Sequence, residues 1–228
     1  MNLIELHSLS KIYTETASEV VAVDNLSLRV GEREFTALVG PSGCGKTTLL
    51  NLIGGLDRPT KGSVWVNGTD LSTLNDTQLV DFRLHRIGFV FQAYNLVPVL
   101  SALENTALIM ELQGMGKTER EKRAMELLDA VGMADKSHHR PGQLSGGQQQ
   151  RVAVARALAS KPSFILADEP TANLDSKNTA TLLDIMLDLN RSEGTTFLFS
   201  THDPRVVEKA RRTIHLEDGR VLQDSHPV

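Results

Sequence analysis

The chain has 228 residues, of which 40% are hydrophobic and 23% charged, and its formal net charge is −4 at pH 7. This length and composition suit one large globular domain or a domain with an inserted lobe, and the acidic balance argues against a general nucleic-acid binder. No stretch is long and apolar enough to insert into a membrane, and the single cysteine, Cys44, excludes an internal disulfide.

The first third of the chain alternates apolar and polar residues in the manner of half-buried strands. Residues 3–6, 26–30 and 64–66 show this pattern, and Asn67-Gly68 is a hairpin turn signal. Residues 35–39, 164–167 and 196–199 are instead short continuous apolar runs, as in strands buried on both faces. We therefore expect an antiparallel β subdomain beside a mainly parallel sheet covered by helices.

Residues 92–141 carry no buried-strand signal. Ser101 with Glu104 and Thr118 with Glu121 fit the capping-box pattern that opens helices. We expect one domain over residues 1–228, with an α/β core and antiparallel β subdomain formed by residues 1–91 and 142–228. Residues 92–141 would form an inserted all-helical subdomain.

Residues 40–47 match the phosphate-binding loop pattern G-x(4)-G-K-[ST], directly after a buried strand and before a helix. Glycines let backbone N–H groups curl around phosphate oxygens, and the helix N-terminus favours negative charge. Lys46 would contact the β- and γ-phosphates, Thr47 would ligate Mg²⁺, and Thr48 would reach the α-phosphate. We interpret Cys44 as a small residue beneath the phosphates rather than a redox group. The predicted loop comprises Gly40, Pro41, Ser42, Gly43, Cys44, Gly45, Lys46, Thr47 and Thr48.

Asp168 and Glu169 end another buried strand, where ligands bind in open α/β sheets. Asp168 would hold Mg²⁺, and Glu169 would be the general base that polarises the attacking water. Strands also end in acidic residues without any function, but the phosphate-binding loop favours the catalytic interpretation. The fold class predicted is therefore α/β with a P-loop nucleoside triphosphatase core.

Leu144-Ser145-Gly146-Gly147-Gln148 opens a second helix suited to anions, with a hydroxyl donor and exposed N–H groups. One γ-phosphate does not need two such sites from one chain. We therefore expect Ser145, Gly146, Gly147 and Gln148 to act in trans, on the nucleotide of a neighbouring subunit. The alternative is that Ser145 is only an ordinary helix cap.

With these motifs, nearly the whole chain resembles the nucleotide-binding subunit of an ATP-binding-cassette (ABC) transporter. The resemblance implies an ATPase that binds ATP and Mg²⁺. It also implies that Gln92 contacts Mg²⁺, that Asp175 meets the partner's phosphate-binding loop, and that His202 touches the γ-phosphate. Tyr13 is similar in position to the aromatic residue that stacks on adenine.

Residues 54–57, 86–92 and 166–175 are similar to the lipoprotein-release and macrolide-export type of this family. The resemblance implies a homodimer around two ATP molecules, bound through a permease to the cytoplasmic face of the inner membrane. Residues 96–103 would pass the motion to the permease. The N-terminus lacks the pattern of a signal peptide. The alternatives are a module that regulates a cell-envelope enzyme through a membrane partner, and a soluble ABC ATPase without a transport role.

Overall fold

The computed structural model describes residues 2–14 and 19–225. They fall into two compact units, of which the first is Met1–Arg83 together with Thr196–Val228 and the second is Leu84–Thr195. The strands are β1 (Asn2–Tyr13), β2 (Val20–Gly31), β3 (Phe35–Val39), β4 (Lys61–Val66), β5 (Thr69–Asp70), β6 (Ile87–Val90), β7 (Phe164–Asp168), β8 (Thr196–Thr201), β9 (Arg212–Glu217) and β10 (Arg220–Ser225). The helices are α1 (Lys46–Ile53), α2 (Asp76–Arg86), α3 (Ala102–Leu112), α4 (Lys117–Ala130), α5 (Gly146–Ala159), α6 (Ser176–Glu193) and α7 (Pro204–Lys209).

In the first unit, four strands form an antiparallel sheet in the order β2-β1-β4-β5. Ile4 pairs with Val30 and Leu6 with Leu28, and all four side chains are buried. The hairpin between β4 and β5 turns at Asn67 and Gly68, whose φ angles are 48° and 74°. Two successive positive φ angles are typical of a two-residue hairpin turn. The predicted half-buried strands and the predicted turn are confirmed.

The first unit also contains the strands that carry its phosphate-binding loop. β3 lies between β8 and β9 and is parallel to both, and β10 is antiparallel to β9. The Phe35 ring packs against those of Phe197 and Phe199, with centroids 5.6 and 4.8 Å apart. Val39 pairs with Thr201 in the parallel register. The segments that follow β3 and β8 therefore begin at the same edge of the sheet.

The second unit has its own parallel strand pair, β6 and β7, in which Val90 pairs with Ala167. The segments after these two strands also begin at one edge. Helix α5 packs against β6, and a Cβ atom on Gly88 would lie 2.5 Å from the Ala157 carbonyl oxygen. This close approach requires glycine, since any larger residue would push the helix off the strand.

Between residues 92 and 141 the chain forms α3, α4 and a short 3₁₀ turn, with no strand. The capping box predicted at α3 is confirmed, because the side chains of Ser101 and Glu104 each accept a hydrogen bond from the other's backbone N–H. The one predicted from Thr118 and Glu121 is wrong. α4 begins two residues earlier, with Gly116 in the N-cap position and no side-chain cap.

In the part of the chain that the structure describes, none of the helices combines the length and the apolar character needed to cross a bilayer.

Candidate functional site

The loop between β3 and α1 is shaped by glycines in backbone conformations that other residues rarely adopt. Gly43 and Gly45 have φ angles of 82° and 102°. Gly45 is the N-cap of α1, no side chain caps this helix, and a Cβ atom on Gly45 would lie 2.1 Å from the Ala22 carbonyl oxygen. The uncapped N–H groups at this helix start have no side-chain partner and are suited to bind an anion. Four residues of the loop are exposed, namely Pro41, Ser42, Gly43 and Thr47.

Lys46 lies beneath this loop with only 8% of its surface exposed. Its ammonium donates hydrogen bonds to the carbonyl oxygens of Gly40, at 2.8 Å, and Pro41, at 3.0 Å. The Cys44 thiol is buried, with its sulfur 3.9 Å from Lys46 Nζ. The cation is therefore held on the concave side of the loop, where phosphate oxygens would lie.

Tyr13 lies beside the end of the same loop. Its hydroxyl donates to Asp57 Oδ2 at 2.9 Å and also hydrogen-bonds to Thr48. Lys11 Nζ lies 4.8 Å from the centre of the Tyr13 ring and donates to Asp57 Oδ1 at 2.6 Å. Burial and the Asp57 carboxylate raise the pKa of Tyr13. The ring is thus fixed next to the loop, and its stacking on adenine stays a prediction.

His202 follows β8 directly and is exposed. The next residue, Asp203, caps α7, and its carboxylate accepts hydrogen bonds from the Arg205 guanidinium at 2.6 to 3.1 Å. The hydrogen bonds from Arg205 lower the pKa of Asp203. His202 is the one residue between the end of β8 and this helix cap. The first unit thus places His202 at the sheet edge that also carries the phosphate-binding loop.

The second unit contains the acidic pair. Asp168 is the last residue of β7, and Glu169 follows in a left-handed backbone conformation, with φ at 46°. Both side chains are partly buried. A residue other than glycine in this conformation stores strain, and such strain concentrates at active sites. The extended backbone of β7 therefore ends at Glu169.

Gln92 lies in the same unit, two residues beyond β6, with an exposed side chain. Its backbone carbonyl accepts a hydrogen bond from Asn173 Nδ2 at 3.0 Å. Because β6 and β7 are parallel neighbours, Gln92 and Asp168 lie at the same edge of this strand pair. Both side chains offer the oxygen donors that Mg²⁺ prefers.

Ser145 is the N-cap of α5, and its hydroxyl accepts from the Gln148 backbone N–H at 3.3 Å. The Gln148 side chain accepts from the Ser145 backbone N–H at 2.9 Å, which completes a capping box. Ser145 is exposed, whereas Gly147 is buried, and a Cβ atom there would lie 2.8 Å from the Asn178 side chain. The hydroxyl accepts one bond locally and keeps its own hydrogen to donate.

Asp175 caps α6 and is exposed. Its two carboxylate oxygens accept hydrogen bonds from Asn178, one from the backbone N–H and one from the side-chain amide, both at 2.8 Å. These bonds lower the pKa of Asp175. Asn178 therefore contacts both Asp175 and Gly147, and the motif-based prediction missed it.

Each unit thus collects part of the predicted site. The first unit contains residues 40–48, Tyr13 and His202. The second contains Gln92, Asp168, Glu169, residues 145–148 and Asp175. The sequence prediction missed Asn173, Asn178 and Arg156, and only Arg156 had a local signal, a cation within the apolar run of α5.

Comparison with known proteins identifies relatives over most of the chain. The sequence family described as ABC transporter matches residues 23–172. An uncharacterized ABC transporter ATP-binding protein of Thermotoga maritima is 48% identical over 96% of this chain and 93% of its own length. The macrolide export ATP-binding/permease protein MacB of Hyphomonas neptunium is 45% identical over 98% of this chain, which spans only 34% of that protein.

The fold also matches solved structures. The ATP-binding cassette MJ0796 of Methanocaldococcus jannaschii, solved as a dimer in a post-hydrolysis state with ADP and Pi, superposes with a TM-score of 0.90. The match covers 98% of both chains at 42% sequence identity. This agrees with the predicted α/β fold class, with its parallel strands, antiparallel sheet and helices.

Proposed function

This chain belongs to the ABC transporter family and is an ATPase of that family, and we propose that it works as a dimer that energises a membrane permease. The observation that carries the proposal is that one chain presents two helix starts suited to anions, at Lys46 and at Gly146. Two chains use both starts at each of two sites. The dimeric structures of MJ0796 support this arrangement.

ATP would lie on residues 40–48 of one chain, with Lys46 at the β- and γ-phosphates and Tyr13 at the adenine. Mg²⁺ fits the donor set of Thr47, Gln92 and Asp168, since a hydroxyl, an amide oxygen and a carboxylate are the hard ligands it prefers. When bound, the ion neutralises charge on the phosphate oxygens.

Hydrolysis would use Glu169 as the general base for the attacking water and His202 as a contact to the γ-phosphate. The left-handed backbone at Glu169 supports this role, because such strained residues cluster at active sites. The partner chain would complete the site with Ser145, Gly146, Gly147 and Gln148. Asp175 would meet the partner's phosphate-binding loop.

The permease would bind near residues 96–103. In this segment Val99 is 71% exposed, an apolar side chain that a partner can cover. The buried Asn105 amide braces the segment, accepting from the Val97 N–H and donating to the carbonyls of Val97, Leu100 and Ser101. An exposed apolar side chain on a segment that Asn105 holds in place supports a role in force transmission. A permease bound there would hold the chain at the cytoplasmic face of the membrane.

The proposal is tested with Glu169→Gln, which removes the base but keeps the shape of the side chain. We expect hydrolysis to fall by a factor on the order of 1,000 while ATP still binds. The variant should elute as a dimer with ATP and Mg²⁺ and as a monomer without them. The control is Glu119→Gln on the exposed face of α4, which should match the wild type. A Glu169→Gln chain that stays monomeric at saturating ATP would refute the dimer.

Binding to the permease is tested separately. Glu169→Gln with ATP should co-purify from membranes with a multi-spanning protein, and Val99→Asp in the same background should lose that protein while still forming the ATP dimer. Retention of the membrane protein by Val99→Asp would place the contact elsewhere.

A further inference from the structure

The segment of residues 92–95 is held by its backbone from two sides of the second unit. The Gln92 carbonyl accepts from Asn173, as described above. The carbonyls of Tyr94 and Asn95 accept from the Arg156 guanidinium, Tyr94 from Nη2 at 2.9 Å and Asn95 from Nη1 at 2.6 Å. All four carbonyls in this short segment therefore have a hydrogen-bond partner, since that of Ala93 accepts from the Asn95 N–H.

The segment needs this support, because its backbone is strained. Tyr94 and Asn95 are consecutive residues with φ angles of 53° and 50°. A left-handed conformation is unfavourable for tyrosine in particular, and it persists only where the surroundings impose it. The two Arg156 hydrogen bonds act on these two residues, so the guanidinium fixes the unusual turn.

Arg156 lies in α5, the helix that Ser145 opens. Burial lowers the pKa of its guanidinium, and both hydrogen bonds go to neutral carbonyls. A partly desolvated cation is destabilised unless it has such hydrogen-bond partners. The planar guanidinium of arginine can donate to two adjacent carbonyls at once, and the ammonium of lysine cannot reproduce that geometry.

The Tyr94 side chain makes a second link to the same helix. Its hydroxyl oxygen lies 2.6 Å from where a Cβ atom on Gly146 would stand. The tyrosine thus packs against the first residue of α5, beside Ser145. One segment therefore contacts α5 at Gly146 near its start and at Arg156 near its end.

We propose that Arg156 and Tyr94 are positioning residues that clamp residues 92–95 to α5, so that Gln92 and Ser145 of one chain move together. This inference rests on the proposed function, in which Gln92 serves the chain's own nucleotide and Ser145 serves the partner's. The clamp then links the two nucleotide sites of the dimer within each chain. ATP engaged at one site sets the position of the residues that complete the other.

The test compares Arg156→Lys with Arg151→Lys. Arg151 lies on the same helix and also donates to a carbonyl, that of Val131 at 3.3 Å, but it does not contact residues 92–95. Hydrolysis by the wild type should be cooperative in ATP, with a Hill coefficient well above 1. Arg156→Lys should lower kcat about tenfold and bring the Hill coefficient close to 1, with KM changed less than about twofold. Arg151→Lys should keep the wild-type Hill coefficient.

Tyr94→Phe is the second variant, because it keeps the ring and removes only the hydroxyl at Gly146. It should keep the wild-type Tm and lower the Hill coefficient in the same direction. The clamp is refuted if the wild type is not cooperative, if Arg156→Lys and Tyr94→Phe keep wild-type cooperativity, or if Arg151→Lys loses it equally. A wild type that does not hydrolyse ATP refutes the proposed function itself, and the clamp with it.

Discussion

Helices α1 and α5 both begin with glycine-containing segments assigned to phosphate binding, but the two starts are built in opposite ways. At α1 the loop depends on Gly43 and Gly45 in left-handed backbone, and no side chain caps the helix. At α5 neither glycine has a positive φ angle, and Ser145 and Gln148 cap each other. The first start needs backbone conformations that favour glycine and is uncapped, whereas the second has ordinary helical backbone and is capped.

This difference suggests a division of labour. The first N–H groups of a helix need partners, and where no side chain supplies them they are available to a ligand. The α1 start is therefore suited to bind phosphate on its own. At the α5 start, some of the N–H groups already have partners without any ligand. This start can therefore form before a nucleotide binds, and its remaining donors can contact a nucleotide that another chain holds.

Among the changes at the two helix starts, the largest expected effect comes from Ser145→Arg, which fills the α5 start with a bulky side chain. Hydrolysis should fall about 100-fold or more, as when a preorganised donor is lost from an active site. ATP affinity of the isolated chain should stay within about twofold, because α1 alone holds the nucleotide. Phosphate release and equilibrium dialysis measure the two quantities.

Mixed dimers sharpen the Ser145 result. A dimer of one wild-type and one Ser145→Arg chain keeps one intact composite site and should retain part of its activity. Full activity in the Ser145→Arg homodimer would show that the α5 start takes no part in hydrolysis.

Lys46→Ala should have the opposite effect on binding, because it should weaken the affinity of the isolated chain for ATP. The deleted ammonium makes charge-assisted contacts worth about 1.5–3 kcal/mol, so the Kd for ATP should rise roughly 10- to 100-fold in the isolated chain. Titration of a fluorescent ATP analogue measures this, with the exposed Lys122→Ala on α4 as the control. Near-normal affinity in Lys46→Ala would remove the distinction between the two helix starts.

The sequence predicted both helix starts because their signals are local. Glycine spacing, a lysine and a hydroxyl within nine residues suffice for the loop at α1, and Ser145 with Gln148 is a capping pattern four residues long. The parallel strands could also be predicted from the sequence, because continuous apolar runs such as residues 35–39 differ from the alternating apolar and polar pattern of the other strands.

The missed features depend on tertiary contacts. Arg156 bonds to residues about sixty positions earlier, and Tyr13 is fixed by Asp57, 44 residues away, so neither contact has a sequence signature. The wrong cap at α4 has a local cause. Both Gly116 and Thr118 are acceptable N-caps, so the Thr118–Glu121 pattern alone does not decide where the helix begins, and the structure places the glycine at the cap.

Alanine substitutions test whether the α1 start depends on its glycines more than the α5 start does. Gly45→Ala combines a φ angle of 102° with a clash against backbone at Ala22, so the free energy of unfolding should fall by about 2 kcal/mol or more. Gly147→Ala meets only the Asn178 side chain, which can shift, and should cost less than about 1 kcal/mol. Gly142→Ala has open space and should be neutral. Urea denaturation measures all three, and equal losses at Gly45 and Gly147 would contradict the comparison.

The smallest effect concerns Asp57, which fixes Tyr13 beside the α1 loop. Burial alone would raise the pKa of Asp57, but the hydrogen bonds from Lys11 and Tyr13 outweigh it and lower the pKa below its usual value. A carboxylate whose pKa is lower in the folded state stabilises the fold above its unfolded pKa, near 4, and loses that contribution as pH falls. Asp57→Asn should therefore cost about 1 kcal/mol of unfolding free energy at pH 7 and much less at pH 3.

The matched control for Asp57 is Asp76→Asn. Asp76 also pairs with a cation, Arg58 at 2.9 Å, but its side chain is 94% exposed, so solvent screens the pair and the substitution should be close to neutral at both pH values. Urea midpoints of both variants and the wild type at pH 7 and pH 3 give the comparison. If Asp57→Asn costs as much at pH 3 as at pH 7, the Asp57 charge does not hold Tyr13. The position of Tyr13 beside the α1 loop would then depend on packing alone.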